Sequence, residues 1–121
     1  QGAFVLSGEN IKAKGLKTVL EQSLTSGAPA DSLVKRPLWI SLDIDCFSAS
    51  EAPGCSAPNP FGLKVDEFMD LWPWLFSNFD VKGLGIYEVS PSLDVDNRTS
   101  RLAAFMIHAS MNELIRNQQN P

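Results

Sequence analysis

Histidine, cysteine and clustered basic residues are all scarce in this chain. It has one histidine among 121 residues, two cysteines, and a net charge of −4. The single histidine, His108, lies far from any acidic motif and is assigned no ligand role. Because lysine and arginine form no cluster, nucleic acid is excluded as an expected partner.

Long apolar runs are missing as well. No stretch is long enough to span a bilayer and no signal-peptide pattern opens the chain, so we expect no membrane partner and a cytoplasmic location. A disulfide between Cys46 and Cys55 is one alternative, but two free intracellular thiols are the favoured interpretation. Hydrophobic residues make up 44% and charged residues 20% of the chain. That composition is typical of a single globular domain.

The most informative stretch is an apolar strand that ends in two acids. Leu38 to Asp45 is predicted to be a buried strand. Alternate residues of a strand point to the same face, so Asp43 and Asp45 should project together at its carboxyl end, where open α/β sheets bind ligands. Two like charges so near each other resist burial, and a bound cation would offset the cost of burying them. The alternative is a solvated strand end or a turn capped by the acids.

The remaining periodicity predicts an α/β fold, a parallel sheet with helices on both faces. Apolar residues recur at helical spacing after Ser7, from Val65 to Phe79, and from about Thr99 to Asn117. Val81 to Val89 is a second predicted strand, with Glu88 at its end. Helices alternate with strands, so the strands should run parallel and their acid-bearing ends should meet at one sheet edge.

Several residues refine this prediction. Gly15 interrupts the first helix, where it would allow close packing, and Pro73 should kink or restart the next one. Trp72 and Trp74 are interpreted as core residues rather than a ligand-stacking box. The segment 26–31 is predicted to be a loop, and the loop 46–63 would wall the space above the acids. The predicted buried face of the last helix consists of Leu102, Phe105, Met106, Ala109 and Leu114.

Two blocks of sequence carry a resemblance to a known family. The first block runs through Ser41-Leu42-Asp43-Ile44-Asp45, Ala52-Pro53-Gly54-Cys55-Ser56-Ala57-Pro58 and Phe61-Gly62-Leu63. The second is Glu88-Val89-Ser90-Pro91-Ser92-Leu93-Asp94, followed by Arg98-Thr99-Ser100-Arg101-Leu102-Ala103-Ala104. The first resembles the second metal-binding motif of the ureohydrolases, which include arginase, agmatinase and formimidoylglutamase, and the second agrees in order and spacing.

The resemblance implies the C-terminal part of a three-layer α/β/α fold and a dinuclear manganese hydrolase. Asp43 matches the aspartate that bridges the two Mn²⁺ ions, and Asp45 matches one that binds a single ion. Glu88 matches the acid that faces the cationic end of the substrate. No further catalytic residue is assigned. These roles suit the residues, because carboxylate oxygens bind hard cations and pair with planar amidinium groups.

Within the family, the loops look closer to formimidoylglutamase. Ser48-Ala49 and Phe61-Gly62 stand where arginase and agmatinase usually carry Asp-Pro and Gly-Gly. Formimidoylglutamase hydrolyses N-formimidoyl-L-glutamate to glutamate and formamide in histidine breakdown, and Arg98 could anchor the substrate carboxylates or pair with Asp94 or Asp96. The alternatives are an arginase- or agmatinase-type enzyme that releases urea from a guanidino substrate, and a noncatalytic α/β module.

The resemblance covers nearly all of this chain but only the C-terminal portion of the family's domain. The family's first metal motif, an Asp-x-His-x-Asp block with an earlier histidine, has no match here. Because the chain also opens with Gln1 rather than Met, residues 1–121 are interpreted as a fragment. We expect the fragment to bind manganese weakly, to be inactive alone, and to self-associate through an uncovered sheet edge. A homo-oligomer is the expected state.

Overall fold

The computed structural model describes residues 4–25 and 36–119. Its main elements are α1 (Gly8–Lys14), α2 (Leu16–Thr25), β1 (Arg36–Asp43), α3 (Val65–Asn78), β2 (Phe79–Tyr87) and α4 (Arg98–Gln119). Short 3₁₀ turns occupy Ile44–Cys46 and Pro91–Leu93. The predicted loop over residues 26–31 lies outside the described ranges. Within those ranges, no helix is both long and apolar enough to cross a membrane.

The two strands form a parallel sheet. β1 pairs with β2 in a register that sets Asp43 opposite Tyr87, with one irregularity between Leu38 and Trp39. Parallel neighbours need a crossover connection, and here the loop 47–64 and α3 supply it. The prediction of an α/β fold with a parallel sheet is confirmed.

The core is built along the buried side of α3. Neighbouring rings in one row have centroids 5.2, 5.2 and 5.5 Å apart, in the order Phe47, Phe68, Trp72, Phe76. Such offset and edge-on arrangements suit aromatic packing. Trp72 is 1% exposed and Trp74 packs against the same cluster, so both tryptophans are core residues as predicted. α3 continues through Pro73, which lies on the exposed side, so the predicted restart does not occur.

The last helix, α4, buries a narrower face than predicted. Met106 is fully buried, and Ser110 is buried where it meets Trp72 of α3. Phe105 and Leu114, which were predicted to be buried, are 53% and 41% exposed. Residues 105 and 114 lie beside the stripe through residues 106 and 110 on the helical wheel. The predicted face is therefore confirmed at Leu102, Met106 and Ala109, which are buried or packed against the core, and is wrong at Phe105 and Leu114.

Gly15 divides the first predicted helix into two. Its φ is 81°, and its N–H closes α1 by donating to the Ile11 carbonyl at 2.8 Å. Glycine adopts this φ readily because it has no Cβ. A Cβ at this position would meet nothing within 4 Å, so the predicted role in close packing is wrong and the role is conformational. Ser7 caps α1 by accepting the Asn10 N–H at 3.3 Å.

Both strands end two residues earlier than predicted. β1 stops at Asp43 because the chain then turns into the 3₁₀ segment, where the Phe47 N–H donates to the Ile44 carbonyl at 3.3 Å. That turn places Ile44 and Phe47 in the core, both fully buried. Asp45 therefore lies in a turn and not on the strand, which corrects the expectation that strand alternation sets its direction.

Candidate functional site

The predicted site residues all lie at the carboxyl edge of the sheet. Asp43 is the last residue of β1 and pairs with Tyr87, the last residue of β2. Glu88 follows Tyr87 directly, and Asp45 lies two residues beyond Asp43 in the turn that leaves β1. Ligands of parallel α/β sheets bind at this edge. The parallel register therefore brings the three acids to the position where a ligand site is expected.

Asp43 and Asp45 are neighbours with no compensating partner in the described part of the chain. Asp43 is exposed and Asp45 is half-buried. Within residues 4–25 and 36–119, no hydrogen bond or ion pair reaches either carboxylate. Neighbouring acids without partners repel each other. This arrangement favours a bound cation.

The backbone of Glu88 is held in an unusual conformation. Its φ of 64° lies in the left-handed region, which residues other than glycine, asparagine and aspartate seldom adopt. Its Oε2 accepts a hydrogen bond of 3.0 Å from the hydroxyl of Ser56. Such backbone outliers cluster at ligand sites, where the surrounding structure imposes them. The sequence pattern predicted neither the conformation nor the contact.

One half-buried and one buried thiol lie in the electric field of these acids. Burial, followed by the charges of Asp45 and then Asp43, raises the pKa of Cys46 to about 12. Burial, followed by the charges of Asp45 and Glu88, also raises the pKa of Cys55. Both cysteines are free, and with raised pKa values they stay protonated at neutral pH.

The long loop above the acids is fixed at its base. A β-bridge pairs Phe47 with Leu63 at its two ends. The Glu51 carboxylate accepts the Val65 N–H at 3.3 Å and so caps the start of α3. The hydroxyl of Ser48 donates to the same carboxylate at 3.0 Å. These contacts join the loop to the helix that follows it.

Gly54 ties this loop to α4 and to the segment after β2. Its N–H donates to Thr99 Oγ1 at 2.7 Å, and its carbonyl accepts the Ser90 N–H at 2.8 Å. Thr99 is fully buried. A Cβ on residue 54 would lie 2.6 Å from the Asp94 Cβ, so glycine is required there. We call Gly54, Ser90, Asp94 and Thr99 the loop clamp.

Asp94 completes the loop clamp by capping α4. Its carboxylate accepts the Thr99 N–H at 2.9 Å and both the N–H and the hydroxyl of Ser100 at 2.8 Å. Burial opposes its ionisation, but these hydrogen bonds outweigh burial and lower the pKa of Asp94 to about 2. The clamp was not predicted. An aspartate shortly before a helix is a capping signal, and that signal was present at Asp94.

Arg98 and His108 do not join the acids. The Arg98 guanidinium donates to the Ser50 carbonyl at 3.0 Å. In the described ranges it forms no ion pair with Asp94 or Asp96, one of the two roles considered for it. A role in anchoring substrate carboxylates stays a prediction. His108 is exposed on α4, 3.2 Å from the Asn112 amide, and its exclusion from the site stays a prediction.

Asp43 and Asp45 fit a hard cation by their chemistry, because carboxylate oxygens are ligands that Mn²⁺ accepts. No group of three or more His, Cys, Asp and Glu residues that could hold a metal occurs among the residues that the structure describes. The described residues therefore do not complete a metal site by themselves, and a bound ion would need further ligands from outside them.

The fold is that of an α/β protein with three acids at the carboxyl edge of its parallel sheet. A family model described as the arginase family matches residues 1–112. The chain therefore belongs to the arginase family, the ureohydrolases, as the resemblance predicted.

Its relatives include formimidoylglutamases. The formimidoylglutamase of Bacillus subtilis (strain 168) is 41% identical over 73 residues, which are 60% of this chain and 23% of that protein. The crystal structure of formimidoylglutamase from Bacillus subtilis matches with a TM-score of 0.75 at 31% identity, over 88% of this chain and 32% of that one. A Trypanosoma cruzi formiminoglutamase crystallised with Mn²⁺ has a TM-score of 0.69 at 22% identity, over 88% of this chain and 34% of that one, and supports the fold alone. The chain spans about a quarter to a third of the length of these relatives.

Proposed function

We propose that residues 1–121 are the C-terminal portion of a ureohydrolase domain. The complete enzyme would hydrolyse a C–N bond of N-formimidoyl-L-glutamate, giving glutamate and formamide. The strand register carries this proposal, because it sets Asp43 opposite Tyr87 and so brings Glu88 to the same sheet edge. This register places Asp43 and Asp45, which suit a cation, at the same sheet edge as Glu88, which suits an amidinium group.

Asp43 and Asp45 are the proposed manganese ligands. Their oxygen donors suit the ion, and their charges are uncompensated within the described residues. When bound, manganese lowers the pKa of the water it coordinates and so supplies a nucleophile near neutral pH. We propose two ions in the complete enzyme, with the remaining ligands contributed from outside the described ranges.

Glu88 is the proposed partner of the cationic end of the substrate. A carboxylate and a planar amidinium can form two parallel, charge-assisted hydrogen bonds. The imposed φ of 64° and the bond from Ser56 support a binding role rather than that of a solvated strand end.

The relatives favour a formimidoyl substrate, since proteins named formimidoylglutamase match at up to 41% identity. Histidine breakdown would then be the pathway. The alternative is an arginase- or agmatinase-type reaction that releases urea. Both substrates carry a planar cation, so Glu88 suits either one.

A product assay on the manganese-loaded, full-length protein that contains this chain tests the proposal. We expect formamide from N-formimidoyl-L-glutamate and no urea from arginine or agmatine. Glu88→Gln should lower kcat/KM about 10- to 100-fold, because a hydrogen bond to a charged group is lost. Urea without formamide would assign the arginase or agmatinase reaction instead, and neither product would indicate a noncatalytic module. The 121-residue chain alone should release no formamide, because its described residues hold only part of a metal site.

We also propose that the 121-residue chain forms a homo-oligomer. Large apolar side chains remain exposed on β1 and on α4, including Trp39, Phe105 and Met111. Exposed apolar surface of this kind favours association.

A further inference from the structure

Ser56 contacts the carboxylate to which the proposed function assigns substrate binding. Its Oγ donates to Glu88 Oε2 at 3.0 Å, across 32 positions of sequence. Both residues are exposed. Water competes for such a bond, so its net contribution to stability is small. Its consequence is geometric, since it restricts where the carboxylate points.

The backbone that leads to Ser56 is firmly held. Gly54, two residues earlier, is buried and bonded to Thr99 through its N–H and to Ser90 through its carbonyl. Cys55 is 1% exposed, and its Sγ donates to the Ala52 carbonyl at 3.4 Å. Ser56 therefore extends from a fixed base towards Glu88.

Two hydrogen bonds join the same pair of segments. The Ser90 N–H donates to Gly54, and the Ser56 hydroxyl donates to Glu88. One bond fixes the backbone of segment 88–90 against segment 54–56, and the other fixes the side chain of Glu88. Glu88, whose backbone is left-handed, forms one of these contacts, and Ser90, two residues later, forms the other, so the surrounding structure restrains both the carboxylate of Glu88 and the backbone that follows it.

The carboxylate of Glu88 has room for Ser56 and an amidinium together. An ionised carboxylate offers about four lone-pair sites on its two oxygens. A bidentate amidinium uses one site on each oxygen. One site on Oε2 then remains for the hydroxyl, so Ser56 does not compete with the cation.

We infer that Ser56 is a positioning residue for Glu88, whose hydroxyl holds the carboxylate plane in the orientation that a planar amidinium cation needs. Holding a binding group in the productive geometry lowers the cost of ordering it when the ligand arrives. This inference rests on the proposed role of Glu88 and adds the residue that sets its orientation.

Acetamidinium binding to the full-length protein, measured by calorimetry, tests the inference without turnover. Ser56→Ala should raise Kd about 5- to 10-fold, while Ser56→Thr, which keeps the hydroxyl, should stay within about 2-fold of the wild type. Ser92→Ala is the matched control, because Ser92 is an exposed serine whose hydroxyl contacts Ser90 at 3.5 Å and not Glu88. All variants should unfold at the wild-type temperature. In turnover, Ser56→Ala should raise KM more than it lowers kcat.

The outcomes separate this inference from the proposed function. Unchanged affinity in Ser56→Ala, with affinity lost in Glu88→Gln, would overturn the inference alone. A wild-type protein that binds acetamidinium but releases neither formamide nor urea would overturn the proposed function alone. A wild-type protein with no affinity for acetamidinium would overturn both.

Discussion

Gly54 shows how a residue without a side chain can hold a loop against a helix. It gives one hydrogen bond to Thr99 and accepts one from Ser90, and Asp94 occupies the space where its Cβ would be. Asp94 cannot move aside freely, because three hydrogen bonds hold its carboxylate at the start of α4. The absence of a side chain at residue 54 is therefore a structural requirement.

Gly54→Ala should lower the free energy of unfolding by about 1–3 kcal/mol, the usual cost of forcing extra atoms into a packed site. Urea unfolding measures this change. Gly8→Ala is the control, because a Cβ there meets nothing within 4 Å and the change should stay within about 1 kcal/mol. Equal unfolding midpoints for Gly54→Ala and the wild type would contradict this, because they would show that the loop clamp accommodates a methyl group without loss of stability.

Asp94 should make the stability of the fold depend on acidic pH. Its pKa in the folded protein is about 2, below the ordinary value of 3.8, because the bonds from Ser100 and Thr99 outweigh burial. A depressed carboxyl pKa contributes stability that is complete above pH 3.8 and is lost as the pH falls towards 2.

The comparison with Asp94→Asn isolates this contribution. The variant should be less stable than the wild type at neutral pH and should lose stability less steeply across the same acidic window. Unfolding midpoints measured through a pH series would test this. An equally steep loss in both proteins would contradict it.

At the scale of elements, one buried hydrogen bond joins α3 to α4. The Trp72 indole N–H donates to Ser110 Oγ at 3.2 Å, and the Ser110 hydroxyl donates in turn to the Met106 carbonyl at 2.7 Å. Trp72 is 1% exposed, so water cannot replace Ser110 as an acceptor. The packing of the two helices thus depends on a polar contact within an aromatic core.

Ser110→Ala should cost about 1–3 kcal/mol, because it leaves a buried donor unsatisfied. Ser77→Ala, on the exposed side of α3, is the control and should change stability by less than about 0.5 kcal/mol. Adding Trp72→Phe to Ser110→Ala should cost less than the sum of the two single changes, since the unsatisfied donor is then gone. Denaturant unfolding of the four proteins measures the coupling, and strict additivity would argue against it.

The sequence predicted the elements better than their ends. The apolar period located α3 to within one residue, because Val65 and Phe79 mark the two ends of a clear amphipathic pattern. β1 ended early because burial of Ile44 and Phe47 required a turn, and a period of two cannot reveal this. Gly15 was placed correctly but its role was not, because a positive φ is not visible in the hydrophobic pattern.

The acids were predicted from local motifs, whereas the contacts that support them were not. Asp43, Asp45 and Glu88 each end an apolar run, and the parallel register explains why they share an edge. Gly54 and Thr99 meet across 45 positions of sequence. Such a contact depends on the folded arrangement of loop and helix, so periodicity and composition carry no sign of it.

At the scale of the whole molecule, exposed apolar surface predicts self-association. Trp39 on β1 is 65% exposed, and Met111 and Ile115 on α4 are 56% and 50% exposed. Light scattering of the 121-residue chain should show a mass that rises with concentration. Met111→Lys combined with Ile115→Lys should shift it towards monomer, because charge opposes apolar contact. A wild-type chain that stays monomeric at every concentration would contradict the proposed homo-oligomer.

Manganese uptake tests the assignment of Asp43 and Asp45 most directly. Free Mn²⁺ gives a paramagnetic resonance signal that weakens on binding, so titration of the 121-residue chain reports uptake without any enzymatic activity. We predict weak uptake by the wild type, loss of that uptake when Asp43→Asn and Asp45→Asn are combined, and wild-type uptake in Asp70→Asn, which removes a charge from an exposed position on α3. Equal uptake by the wild type and the double variant would show that these two acids do not hold the metal.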